Sequence, residues 1–163
     1  MSNGVMDAEL QKFLQGRRIA TLATENADGS MHLTAVWYLF ADGCLLVATN
    51  SKTRKARNVL ARGKCSAMVD ARTPGTERGV TLAGKAEILS GPESKELNER
   101  VHRRYLSAGA MADPQVGAVF AGFDDVTIRL RPESWFSWDM ATLDAQAFGG
   151  RLGKTPGYLL PLD

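Results

Sequence analysis

Ala48-Thr49-Asn50-Ser51-Lys52-Thr53-Arg54-Lys55-Ala56-Arg57-Asn58-Val59-Leu60 is the stretch on which the reading of this chain turns. It opens as the end of an apolar run, Cys44 to Ala48, and becomes polar at Thr49. Four cations follow: Lys52, Arg54, Lys55 and Arg57. A helix over Thr53 to Arg62 places Ala56, Val59 and Leu60 on one apolar stripe at i, i+3, i+4 spacing. Arg54, Asn58 and Arg62 then share the opposite side, with Lys55 and Arg57 at the two edges of the stripe. Thr49, Asn50, Ser51 and Thr53 supply hydroxyls, an amide and backbone N–H groups just ahead of the helix. A strand end, a hydroxyl-rich turn and a basic helix start suit a phosphate, because a helix N-terminus carries unpaired donors and partial positive charge. The same residues also read as a solvated basic helix capped by Ser51 or Thr53.

Upstream, Asp7 to Gly16 has the pattern of a short amphipathic helix, with Asp7 as cap and Leu10, Phe13 and Leu14 as its stripe. Arg18 to Thr24 alternates as a strand. Asp28-Gly29 and Asp42-Gly43 are hairpin signals. Between them, Met31 to Phe40 reads as one long strand, apolar on both faces and so expected to be covered on both sides. Downstream, Lys64 to Asp70 is a fourth strand and Gly79 to Leu89 a fifth, with Gly84 marking a bulge or a close backbone approach. Pro92 opens a helix to about Leu106, with Leu97, Val101 and Tyr105 inward. Pro114 to Ala121 is a weaker helix. Asp125 to Leu130 is a sixth strand that continues towards Trp138, with Val126, Ile128 and Leu130 inward and Thr127 and Arg129 outward. The expected fold is mainly β: a six-stranded antiparallel barrel, closed or split, with helices in its crossovers. Residues 1–139 form the domain and 140–163, rich in Gly and Pro, its tail.

At 163 residues the chain makes one domain with a proper core, and 44% hydrophobic with 23% charged residues is ordinary for a soluble protein. A net charge of +2 supports a local basic site rather than nucleic-acid binding. No apolar run approaches the roughly 20 residues of a membrane helix, and Met1 to Glu9 lacks the pattern of a secretory signal. A cytoplasmic location is therefore expected, with Cys44 and Cys65 as buried free thiols. Two cysteines and the distant His32 and His102 make no metal-ligand spacing.

The helix, the Ile19–Thr24 strand, the Asp28-Gly29 hairpin, Thr34-Ala35-Val36-Trp37-Tyr38, Leu46-Val47-Ala48-Thr49 and the Ser51-x-x-x-Lys55-x-x-Asn58 pattern together resemble the FMN-binding split-barrel family of pyridoxamine 5′-phosphate oxidase, including its branch using the deazaflavin F420. The resemblance spans roughly residues 7 to 138. It implies an oxidoreductase moving hydride between FMN or F420 and a small organic substrate. Thr34, Ala35, Val36 and Trp37 would line the ring, Thr49 and Ser51 would meet the ribityl chain or phosphate, and Lys55 and Arg57 would be the phosphate cations. It also implies a homodimer with the ring at the subunit interface, and Trp135, Phe136 and Trp138 as candidates to reach the partner's site. Family oxidases of vitamin B6 carry an Arg-x-His element near the C-terminus; Arg131 to Asp139 has no histidine, which argues against that substrate. Lys52 and Arg54 add positive charge suited to the oligoglutamate tail of F420. A non-catalytic flavin carrier or redox sensor would look the same at the phosphate site.

No catalytic residue is assigned. His32 reads either as an acid near the ring or as structural, and His102, among Arg100, Arg103 and Arg104, as solvent-facing. Trp37 fits both core and cofactor wall. Asp139 and Asp144 read as surface caps.

Overall fold

The computed structural model describes residues 6–122 and 125–161, and in it both Asp-Gly turns fold as their sequence demands. Gly29, at φ 83°, closes the hairpin of β1 (Ala20–Glu25) and β2 (Met31–Val36), where Asp28 accepts hydrogen bonds from the Ser30 N–H and hydroxyl. Asp42 and Gly43 both take positive φ, 51° and 70°, and join β3 (Leu39–Ala41) to β4 (Cys44–Asn50) in a turn whose twist matches its strands. The helix α1 (Ala8–Gln15) precedes β1, capped by Asp7 as expected. After β4 come α2 (Arg54–Arg62), β5 (Lys64–Ala71), β6 (Arg78–Leu89), α3 (Gly91–Tyr105), α4 (Ala108–Ala112), α5 (Gly117–Ala121), β7 (Asp125–Asp139), α6 (Met140–Ala147) and α7 (Arg151–Lys154). The first five residues of the stretch read for a secretory signal lie outside the described residues, as do the last two of the tail.

The strands form one antiparallel sheet in the order β2-β1-β5-β6-β7-β4-β3. Its two edges, β2 and β3, are consecutive in the chain and separated by Trp37 and Tyr38 alone. Seven flat strands would hold those edges roughly 29 Å apart at about 4.8 Å per gap. Three peptide steps reach at most about 11 Å. The sheet must therefore curl until its edges meet at this link, and a half-barrel results. Its inner face carries Ala20, Leu22, Ala67, Val69, Val80, Leu82, Ile128 and Leu130, sealed by Phe13 and Leu14 of α1 and Val59 of α2. The Tyr38 hydroxyl lies 2.9 and 3.0 Å from the carbonyl oxygens of Leu14 and Gly16, tying α1 to the core.

Several expectations are corrected. The strand expected over Met31 to Phe40 is two, which makes seven strands rather than six: Tyr105 on α3 accepts a hydrogen bond from the Tyr38 N–H (3.2 Å), and its hydroxyl lies 3.1 Å from the Tyr38 carbonyl, so a side chain replaces a ladder partner. Only one face of β2 is covered in this chain, since Met31 and Leu33 are 57% and 63% exposed. Leu60 is exposed because α2 is narrow in contact and buries only Ala56 and Val59. Thr127 is fully buried, because α3 crosses β7 there and its Asn98 Oδ1 accepts from the Thr127 hydroxyl at 2.7 Å. The weak helix is shorter, Gly117–Ala121, and α4 precedes it. The tail is helical in part: buried Asp144 accepts from the N–H groups of Leu152 and Gly153 and so holds α7 from within, whereas Asp139 caps α6 at the surface. Cys44 and Cys65 are buried free thiols. No helix among the described residues is long and apolar enough to cross a membrane.

Candidate functional site

The turn from β4 into α2 is held by its own side chains. Thr53 caps the helix, accepting from the Ala56 N–H (3.4 Å) and donating to the Asn50 carbonyl (2.8 Å), while the Thr49 hydroxyl stands 3.1 Å from it. Between the two capping alternatives, Thr53 rather than Ser51 fills the role. At its other end α2 is fastened to the β1–β2 hairpin. The Asn58 amide donates to the Thr24 hydroxyl (3.1 Å) and to Asn26 Oδ1 (3.0 Å), and Arg62 reaches Glu25 and the Asn26 carbonyl. The side of α2 expected to face water is thus its mooring, and it fixes the rotation of the helix. That rotation turns Lys55, three residues before Asn58, towards the split in the barrel.

The split arises because β3 covers only Cys44 to Leu46 of β4. Beyond Leu46 no strand lies on that side of β4, and β2 has no partner beyond β1. A cavity of about 410 Å³ opens there, lined by Ala35, Val36 and Trp37 on one wall and Ala48, Thr49 and Asn50 on the other. Lys55, His102, Phe120 and Asp125 complete it. Five of the eight residues expected at a cofactor site, Ala35, Val36, Trp37, Thr49 and Lys55, line this cavity. Thr34, Ser51 and Arg57 lie outside its wall; Arg57 is exposed, two residues or about 200° around the helix from Lys55. Trp135 and Trp138 are distant from it. Trp135 is half-buried and packs against the core of its own chain, on the inner side of the sheet. Trp138 lies over Gly79 on the neighbouring strand.

Burial pushes the Lys55 ammonium below its usual pKa, and no carboxylate among the described residues pairs with it. Trp37 stacks on Tyr105, ring centroids 5.0 Å apart and planes 4° from parallel, and also faces Phe120 at 6.3 Å. Both readings of Trp37 therefore hold: it is packed and it is a wall. Cys65 is no nucleophile, since burial raises its thiol pKa to about 12. No cluster of metal-ligating side chains occurs among the described residues.

His102 corrects the sequence reading. It is 8% exposed, stands in the cavity wall and tilts against Phe120 at 4.8 Å. Burial lowers its pKa, with Glu99 opposing weakly. Arg100 and Arg103 stay exposed because α3 turns Ser94, Asn98, Val101 and His102 inward, at steps of four, three and one, while Arg104 lies over the Tyr38 and Tyr105 rings. That spacing was a helical stripe in the sequence, hidden by being mostly polar.

The pyridoxamine 5′-phosphate oxidase family model matches residues 6–139. A conserved hypothetical protein from Mycobacterium tuberculosis is 32% identical, with a TM-score of 0.70 over 88% of this chain and 91% of that one. An F420 reductase is 23% identical (TM-score 0.63, covering 81% and 98%), and a heme storage protein from Vibrio cholerae 18% (TM-score 0.61, covering 82% and 94%). These last two share the fold. No curated protein matches the chain.

Proposed function

The chain belongs to the pyridoxamine 5′-phosphate oxidase family, and from that premise we propose that it binds FMN or F420 in the cleft between β2 and β4 and acts as a cytoplasmic, homodimeric oxidoreductase on a small conjugated organic substrate. The observation that carries this reading is Lys55, a half-buried cation that no carboxylate among the described residues pairs with, beside an open strand edge. Holding an ammonium out of water is costly unless an anion meets it, and a phosphate does so with charge-assisted bonds. Ala35 to Trp37 and Ala48 to Asn50 form the two walls of the cavity, with backbone donors and acceptors for the polar edge of a flat ring. When bound, such a cofactor supplies hydride transfer; the protein orients it and surrounds it with apolar walls. Lys52 and Arg54, exposed and close to Lys55 in sequence, add positive charge that favours F420, whose tail is anionic.

Fluorescence titration of the protein with FMN and with F420 tests the reading. Lys55→Ala is expected to weaken the preferred cofactor by about 1.5–3 kcal/mol, roughly tenfold to a hundredfold. Arg57→Ala should change little, because its side chain points away. Equal affinity in Lys55→Ala and the parent would remove the site. A protein that binds the cofactor but never oxidises its reduced form with any enone is a carrier instead.

A further inference from the structure

The cleft does not end at His102. A second cavity of about 510 Å³ adjoins it, sharing His102, Phe120 and Asp125, and runs between α3 and the α4–α5 segment. Its far wall is apolar and flat, from Met111, Gly117, Phe120 and Ala121. Gly117 is needed there: a Cβ would strike the Met111 carbonyl, so glycine alone lets α4 and α5 close around the space. Its charged members are Lys95, Glu99 and Asp125, one cation against two carboxylates, which disfavours an anionic occupant. His102, more than nine-tenths buried, lines both cavities, and its imidazole makes no hydrogen bond with any described residue.

We infer that this second cavity seats the substrate, and that His102 hydrogen-bonds it: a planar, uncharged aromatic or conjugated compound with an acceptor such as a carbonyl oxygen at one edge. The inference rests on the reading of the first cavity as the cofactor site. The shared wall puts an occupant of one cavity next to an occupant of the other. Burial keeps the ring of His102 neutral at pH 7, with one N–H to give and no stranded charge to compensate. Phe120 is the surface on which a flat ring stacks.

Acetophenone is the probe, with ethylbenzene as the same shape lacking the acceptor. In imidazole ¹⁵N NMR of the full chain, acetophenone should shift the His102 resonances and leave those of His32 in place. It should do so equally with FMN or F420 at saturation. His102→Phe should weaken acetophenone at least fivefold without weakening ethylbenzene, and Met111→Trp should exclude both by filling the cavity. Circular dichroism and thermal melts of each variant tell a folded protein from a collapsed one. Acetophenone that leaves His102 unmoved, that competes with the cofactor, or that binds His102→Phe as well as the parent overturns the inference, whatever the cofactor titration gives. Failure of both cofactors to bind while acetophenone shifts His102 overturns the cofactor reading alone.

Discussion

Asn58 shows how a residue can be recognisable in a pattern without its task being readable. Its amide satisfies the Thr24 hydroxyl, which is 1% exposed, and Asn26, from a hairpin more than thirty positions away. Replacement by alanine leaves a buried hydroxyl short of a partner and frees the rotation of α2. Asn58→Ala should cost about 1–3 kcal/mol in a denaturant melt and weaken cofactor binding with no change at Lys55 itself. His102 was less legible still, since its neighbours in sequence are arginines and its inward stripe is polar, so no hydrophobic period announced it. Its titration gives a second expectation. The folded-state pKa lies below the 6.5 of an unperturbed histidine, so the unfolded chain takes up the proton first as pH falls. The stability contributed by keeping it neutral is complete above about 6.5 and is lost progressively below it. Thermal melts between pH 5 and 7.5 should show the parent losing more than His102→Asn over that window; parallel slopes would refute it.

At the scale of elements, what local chemistry dictates was legible and what distant contacts dictate was not. The Asp-Gly hairpins, the Asp7 and Thr53 caps and the β6 irregularity are all decided within a few residues. The pairing of β6 with β7 shifts register between Ala83 and Gly84, and a Cβ on Gly84 would collide with the Arg131 carbonyl and stand 2.7 Å from the Glu133 nitrogen. Both backbones are fixed in a sheet interior, so neither can step aside. Gly84→Ala should therefore destabilise by about 1–3 kcal/mol, seen as a Tm lowered by several degrees. The break between β2 and β3 was not legible, because the group that takes Tyr38 out of the ladder is Tyr105, on a helix 67 positions later. Thr127 went wrong for the same reason: alternation gave its side but could not show that α3 covers that side.

The molecule as a whole has an outer sheet face that follows from register. Directly paired residues share a face, so Leu33, Ala23, Ser66, Ala83 and Ser134 form one row and Ala35, Thr21, Met68, Thr81 and Phe136 the next. The centre is uncharged, built of small residues with Leu33, Met68 and Phe136 as its large apolar members, and ion pairs Glu25–Lys64 (3.1 Å) and Lys85–Glu133 (3.4 Å) border it. An uncharged middle inside a charged rim is the make-up of a subunit contact, which supports the proposed homodimer and accounts for the apolar outer side of β2. Light scattering after size exclusion should give twice the chain mass for the parent and the single chain for Met68→Glu; a parent of single mass refutes it. Finally, in the sheet β4 is joined to the body of the barrel through β7, Leu45 opposite Leu130. Both walls of the cleft are synthesised early, within residues 35–50, yet they come together only when a strand from the far end of the chain docks. A chain in which β7 has not yet docked therefore lacks the formed cleft, and any stabilisation that a bound cofactor brings acts only on the sheet with β7 in place.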